Sequence, residues 1–268
     1  MHIEADLNYV IDTGETPVIY VDWPEEEHKA RPPTYEAHRC LIENGRPHQN
    51  EFSLPTHGFT FLYHPSKVRN FYDADSITNG YDAEVAELIK SQTGASKVLV
   101  FDHTFRTANQ TVANQNNTRG PVKAAHNDYT DRSARQRLRD LLPTNEAEEC
   151  LKRRFSIVQT WRPIRHPVQS EPLAICDGRT IPNRGFVPIQ RRYSHRTAET
   201  YHISYHPDHL WYYFPDMTPD EVIVFKVFDS DHSKGVPFTA HTAFDDPNTP
   251  IDARLRESVE SRALVLFE

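Results

Sequence analysis

The sequence predicts an α+β protein with a jelly-roll barrel at its core and helices packed beside it. Two patterns carry that expectation. From Phe155 to the end, short apolar runs separated by proline-bearing loops read as strands. Before them, residues 71–154 carry helix-like spacing on both sides of a single apolar run. Composition agrees: 20 prolines against 9 glycines favour stiffened loops. Neither G-x-G-x-x-G nor G-x-x-x-x-G-K-[ST] occurs, so a glycine-rich nucleotide loop is not expected. At 268 residues the chain reads as one domain, with 1–60 as an N-terminal arm and edge strands.

In chain order, Leu7–Ile11 and Val18–Val21 read as short strands, Trp23–Pro33 as an acidic loop, and Arg39–Ile42, Phe52–Leu54 and Phe59–Tyr63 as extended. Asp82 is placed to cap a helix from Ala83, with Val85, Leu88 and Ile89 on one face and Gly94 as its C-terminal stop. Lys97–Asp102 is nearly all apolar and predicts a buried strand. The Asn-, Gln- and Thr-rich stretch 109–119 has little to bury and predicts a mobile loop, suited to a lid. Asp131 is placed to cap a helix with Ala134, Leu138 and Leu141 on its apolar stripe, ended by Pro143. Thr144 is placed to cap a third, short helix running to Arg154. Phe155–Arg162, Leu173–Cys176, Tyr201–Tyr205, Leu210–Phe214, Glu221–Phe228 and Ser258–Phe267 predict strands.

The formal net charge is −8, and the short clusters Lys152–Arg154 and Arg191–Arg192 read as solvated faces, so no nucleic-acid partner is expected. A small, uncharged or organic-acid substrate fits better. Cys40, Cys150 and Cys176 are too widely spaced for a disulfide framework and read as reduced thiols of a cytoplasmic protein. MHIEADLNYV lacks the marks of a signal peptide, and no apolar run is long enough to span a membrane.

The stretch Lys123–Thr130, KAAHNDYT, carries the chemistry. On an extended strand His126 and Asp128 face one side and aim an imidazole and a carboxylate at one point. With a second histidine they make the facial triad that holds non-haem Fe(II) with open positions. By itself the pair also fits a surface turn capped by Asp128. Two histidines follow the strand Glu221–Phe228: His232 sits among turn residues, while His241 lies in β-compatible surroundings, 115 residues after His126. His241 is the preferred third ligand.

Period 2 puts Arg256, Ser258, Glu260, Arg262, Leu264 and Leu266 on one face of the last strand. An arginine two residues before a serine suits a carboxylate, since the guanidinium forks onto both oxygens and the hydroxyl adds a third donor. A structural ion pair, Arg256–Glu260 or Glu260–Arg262, explains the same pattern.

Together FDHTFR (101–106), AAHNDYT (124–130), VQTWRPI (158–164), PLAICDGRT (172–180), YHISYHPDHLWYYFPDM (201–217), DEVIVFKVFDSD (220–231), HTAFDDP (241–247) and RESVESRALVLF (256–267) resemble a known family. This is the fungal and bacterial hydroxylase/desaturase family that includes gibberellin desaturases, AsaB-type enzymes and the cephalosporin methoxylation component. More distantly the chain is similar to Fe(II)/2-oxoglutarate oxygenases. The resemblance implies a double-stranded β-helix (cupin-like jelly-roll) core, with Fe(II), 2-oxoglutarate and O2 used to hydroxylate, desaturate or cyclise a small molecule of secondary metabolism. It implies His126, Asp128 and His241 as iron ligands and Arg256 and Ser258 as the clamp for the distal carboxylate of 2-oxoglutarate. The fifteen residues from His241 to Arg256 are somewhat more than that superfamily leads one to expect, so Arg262 competes for the clamp.

Tyr129, Trp161 and Arg162 are candidates for the substrate wall, although strand parity turns Tyr129 away from the metal face and Trp161 also suits core packing. His202, His206 and His209 surround a proline turn and read as solvated. Two rival readings keep the fold: a metalloenzyme that does not use 2-oxoglutarate, and an accessory subunit. A homodimer is equally compatible with the sequence.

Overall fold

A computed structural model describes residues 2–116 and 118–268. Its strands, in chain order, are β1 (His2–Val10), β2 (Val18–Tyr20), β3 (Tyr35–Asn44), β4 (Phe59–Tyr63), β5 (Lys97–Thr107), β6 (His126–Asn127), β7 (Phe155–Pro163), β8 (Leu173–Cys176), β9 (Phe186–Arg192), β10 (Thr197–Ile203), β11 (Trp211–Tyr213), β12 (Glu221–Asp229), β13 (His241–Ala243) and β14 (Glu257–Leu266).

Among the described residues they form two sheets. One has the order β4-β12-β7-β14-β5, the other β1-β3-β11-β8-β13-β6-β10-β9-β2. Within them lie two facing quartets, β12-β7-β14-β5 and β11-β8-β13-β6. The chain crosses from one quartet to the other between β5, β6, β7 and β8, and again between β11, β12, β13 and β14. That is the jelly roll. The hairpin β9–β10 is inserted between β8 and β11 and joins the second sheet beside β6, with Tyr201 opposite Asn127 and His202 opposite His126. The N-terminal strands β1 and β3 extend the same sheet from β11, and β4 pairs with β12.

The long strands are buried on both faces, which is why they read as apolar runs. On the inner face Phe155, Ile157, Trp161, Ile223, Phe225 and Leu264 pack between the sheets. On the outer face Val158, Val222, Val224, Val259, Ala263 and Val265 receive Val85, Leu88 and Ile89 of the helix Asp82–Thr93. The alternation read along β14 therefore divides two cores.

Several expectations are corrected. Asp82 does not start its helix: the helical path begins at Ala74, capped by Asp73, and passes through a π turn at Ile77–Tyr81. Gly94 does end it, at φ 67°. Thr130, not Asp131, caps the helix Asp131–Leu141, exchanging a capping box with Ser133. The stretch after β5 is a helix, Gln110–Asn116, rather than a loop, with Asn117 outside the described residues. β5 is an edge strand and only half-buried. Phe52–Leu54 forms no strand, and β9 was not anticipated.

The connection from β12 to β13 delivers His241, and Gly235 shapes it. This glycine sits at φ 110°, where a side chain would run into the Pro55 carbonyl, the group that accepts a hydrogen bond from Val236 N at 2.9 Å. Gly94 also has positive φ, but open space surrounds it. Gly94→Ala is therefore expected to cost about 1 kcal/mol, the backbone penalty alone. Gly235→Ala is expected to cost clearly more, because the contact adds to the penalty; urea unfolding of the two variants checks the order.

Candidate metal and cosubstrate site

β6 contributes one ligand candidate and the turn after it another. His126 is buried at the end of the short strand, and its Nδ1–H donates to the Ala124 carbonyl at 2.7 Å. The proton is thereby fixed on Nδ1, leaving the Nε2 lone pair free, 3.6 Å from Asp128 Oδ1. Between them Asn127 is fully buried and donates to the Tyr129 and Val227 carbonyls at 2.6 and 2.9 Å. It pins the turn that swings Asp128 round. β13 supplies the third group: His241 pairs directly with His126, and their rings lie 4.3 Å apart. One ligand atom from each of His126, Asp128 and His241 lies within 4.8 Å of the others, a spacing that could hold one ion. Both His241 ring nitrogens are buried without a hydrogen bond, Nε2 lying 3.7 Å from Glu260 Oε1, as suits an imidazole able to take a metal.

The floor is laid by β14 and β7, with Glu260 opposite Trp161 and Arg262 opposite Gln159. Arg256 is 1% exposed. Its Nη1 donates to the Glu171 carbonyl at 2.5 Å and its guanidinium lies 5.4 Å from the centre of the Trp161 ring. Its Nε has no partner, nor do the buried Ser258 Oγ and Trp161 Nε1. Such donors, dry and unpaired, cost free energy unless a ligand meets them, and a carboxylate is the group that would. The Arg256–Ser258 pair and the His126–Asp128–His241 group thus fit a chelating keto acid and a divalent ion.

Arg262 lies about 13 Å beyond Ser258 along the strand. It is taken up by carboxylates: Asp128 at 2.8 Å, Glu260 at 2.9 Å and Asp102 at 2.5 Å. These protein carboxylates surround its guanidinium. Arg162 is misplaced by the sequence reading. It points to the outer face of the sheet, over the Tyr81 ring and toward His64 Nδ1 at 3.2 Å, because odd and even residues of β7 part company. Trp161 faces the site but sits under Arg256 at 1% exposure, beside the clamp. Tyr129 borders an open cleft of about 840 Å³ between the helix Asp131–Leu141 and the β9–β10 hairpin. Asp128, Arg132, Arg137, Thr200 and Arg262 share its lining. His202 is no solvated turn residue: it is buried on β10 across from His126, hydrogen-bonded through Nδ1 to Tyr35 Oη at 3.0 Å.

The chain matches the family model described as an oxidoreductase/YMDC permease-like domain over residues 7–266. It is 33% identical to the hydroxylase/desaturase CTB9 of Cercospora beticola over 87% of this chain and 78% of that protein. It is 34% identical to the Fe(II)/2-oxoglutarate-dependent dioxygenase nvfI of Aspergillus novofumigatus over 85% of this chain and 83% of that one. The solved structure of the iron and α-ketoglutarate-dependent endoperoxidase NvfI superposes with a TM-score of 0.88 at 28% identity, covering 99% of this chain and 98% of that one. The chain belongs to this family of hydroxylase/desaturases and Fe(II)/2-oxoglutarate-dependent dioxygenases. The family uses Fe(II), 2-oxoglutarate and O2, and its jelly-roll fold is the one seen here. No helix among the described residues is long and apolar enough to cross a membrane.

Asn127, Gln159 and Asp102, given no role by the sequence, border the candidate site, as do His202 and Glu260, the latter in the ion pair with Arg262 that the sequence allowed. Glu260 and Asp102 were visible only as charges on a strand. Gln159 and His202 carried no signal until register placed them beside Asp128 and His126.

Burial sets the protonation states. It pushes His126 down to about 4, with His241 adding to the effect, and His202 down to about 3. Burial would raise the Asp128 carboxyl, but the Arg262 guanidinium overrides it and holds Asp128 well below the usual carboxylate range. Both histidines are thus neutral when folded and take up a proton near 6.5 only when unfolded. Their stabilising effect is complete above pH 6.5 and declines as pH falls toward 4. For the metal-free protein each should cost up to about 1.4 kcal/mol per pH unit across that window. Denaturant unfolding at pH 7.5, 6.0 and 5.0 checks this; a flat profile would refute it.

Proposed function

We propose that this chain is itself a non-haem Fe(II)- and 2-oxoglutarate-dependent oxygenase, in one domain spanning 1–268. In this reading His126, Asp128 and His241 hold the iron, and Arg256 with Ser258 receives the distal carboxylate of 2-oxoglutarate. The observation that carries it is the set of buried polar atoms without a hydrogen bond to protein, His241 Nδ1 and Nε2, Arg256 Nε and Ser258 Oγ, on facing walls of one barrel.

Bound there, Fe(II) with 2-oxoglutarate and O2 supplies the oxidising power to remove hydrogen from a C–H bond, the cofactor's own chemistry. The chain's residues supply placement. His126 presents Nε2 because the Ala124 carbonyl holds its proton on Nδ1. The buried Arg256, lowered to about 10 by burial yet still a cation at neutral pH, offers a fixed positive charge for a dicarboxylate. Trp161, Phe225 and Ile223 keep the interior dry around these charges. The substrate is read as a small organic molecule entering by the cleft beside Tyr129, oriented so that hydroxylation, desaturation or ring closure follows. The three free cysteines suit a reducing cytoplasm.

The test is anaerobic visible absorption of the metal-free protein, adding Fe(II) and then 2-oxoglutarate. A charge-transfer band requiring both is expected, and it should vanish in His126→Ala. Arg256→Ala should raise the 2-oxoglutarate needed for half the band about ten- to a hundredfold, the worth of a lost charge-assisted pair. Bound iron without the band would point instead to a metalloprotein independent of 2-oxoglutarate. A normal band without turnover of any substrate unless a second protein is added would point to an accessory subunit.

A further inference from the structure

We propose that Arg262 is a positioning residue for the metal ligand Asp128, turning Oδ1 toward the ion and withholding Oδ2, and that it takes no part in holding the cosubstrate. The inference rests on the reading of His126, Asp128 and His241 as the metal site.

A guanidinium has five N–H groups, and all five of Arg262's are spent. Nε and Nη2 donate to Asp128 Oδ2 at 3.0 and 2.8 Å. Nη2 also donates to Glu260 Oε2 at 2.9 Å. Nη1 donates to Asp102 Oδ2 at 2.5 Å and to Thr104 Oγ1 at 2.7 Å. Nothing is left for a further carboxylate. Arg256, by contrast, keeps a buried nitrogen without a partner.

The load on Asp128 is one-sided. Oδ2 takes the Arg262 fork and also the Gln159 side-chain amide. Oδ1 takes neither and faces His126 Nε2 at 3.6 Å. A carboxylate so held can give an ion only one oxygen. That matters for an octahedral ion, because a carboxylate free to chelate would occupy a fourth protein position and leave two open sites rather than three. Arg262 is itself fixed from the far side. Glu260 lies two residues earlier on β14, while Asp102 and Thr104 reach in from the neighbouring β5, where they pair in register with Arg262 and Glu260. The anchor is thus tied to the sheet, and Asp128, on a turn past a two-residue strand, is tied to the anchor.

The experiment uses Co(II) as the probe, since its bound spectrum reports coordination directly. Affinity is measured by chelator competition on wild type, Arg262→Gln, Arg262→Lys, Gln159→Leu and His126→Ala, with circular dichroism as the folding check. Arg262→Gln is expected to weaken Co(II) binding about 10- to 100-fold, the usual effect of removing a partner that orients a ligand. Its d–d spectrum should change shape as Asp128 becomes free to chelate. Arg262→Lys, which keeps the charge but not the fork, should recover part of the affinity, and Gln159→Leu should lose up to about tenfold. At saturating metal the 2-oxoglutarate affinity of Arg262→Gln should stay within about threefold of wild type. Wild-type Co(II) affinity and spectrum in folded Arg262→Gln would overturn the proposal, as would a loss of 2-oxoglutarate binding at saturating metal. If Arg262→Gln does not fold, unchanged Co(II) affinity and spectrum in both Arg262→Lys and Gln159→Leu overturn it. Should His126→Ala also bind Co(II) as wild type does, the metal-site reading fails, a result distinct from failure of the Arg262 role alone.

Discussion

Strand β13 meets β6 through a single residue pair, His241 against His126. In an antiparallel ladder such a pair points to one side of the sheet with Cβ atoms about 5 Å apart, close enough to share an ion. A slip of one residue in either strand would send one imidazole to the opposite face. The rest of the barrel holds that register. β8 pairs with the other edge of β13, setting His241 opposite Ile175 and Ala243 opposite Leu173. β10 pairs with the other edge of β6, setting His202 opposite His126. Asn127, sandwiched between the two ligands in sequence, is bonded across the barrel to the Val227 carbonyl of β12. Two very short strands are therefore located by longer neighbours, and their side chains inherit a precision that two or three residues could not supply alone.

The second constraint is electrostatic. The inner face of β14 carries Glu260 and Arg262, with Arg256 immediately before the strand, in an environment where each is at most 9% exposed. Burying such charges is costly unless they are paired and hydrogen-bonded. The strand solves this unevenly. Its middle is self-neutralised: Arg262 bridges Glu260 and Asp128, and despite burial the Glu260 carboxyl is drawn down to about 2 by its contact with His241 and the charge of Arg262. Its beginning is not. Arg256 has only the Glu171 carbonyl as a close acceptor, and Glu171 itself sits at φ 47°, a backbone conformation costly for a non-glycine residue, where that carbonyl meets the guanidinium.

That contrast also marks what could be read from the sequence. Period 2 along β14 and β7, the Gly94 stop and the strand nature of Glu221–Phe228 are local patterns, and local patterns were legible. His126, Asp128 and His241 could be nominated because residue type and spacing limit a metal site severely. The structure brings those three together. What escaped were properties of register. β9 buries only Val187 and Ile189 and is held in the sheet by its pairing with β10 and β2, which no single-strand pattern announces. Arg162 could not be assigned a face from a strand buried on both. His202 lies between Tyr201 and Ile203, close before the turn at Pro207, so its burial on β10 was hidden. Arg262 has a chemistry that suits either a ligand's carboxylate or a protein's, and in the structure it meets the protein's. Only the location of Asp128, Glu260 and Asp102 decides which it meets.

Arg256, just before β14, and Arg262 within it show how two guanidiniums on one stretch of chain can differ in what they offer a carboxylate. Both guanidiniums are planar forks of equal charge on the same face, and a free dicarboxylate has no reason from charge alone to prefer one. The distinction comes from saturation. Arg262 meets an acceptor at every N–H, so a visiting carboxylate would have to displace a protein carboxylate already bound at 3 Å or less. Arg256 offers an unpartnered nitrogen beside the unpartnered hydroxyl of Ser258, so a carboxylate arriving there displaces nothing the protein needs. Selectivity between the two positions is thus a difference in what must be given up, and it is set by where the neighbouring acidic residues stand rather than by the arginines themselves.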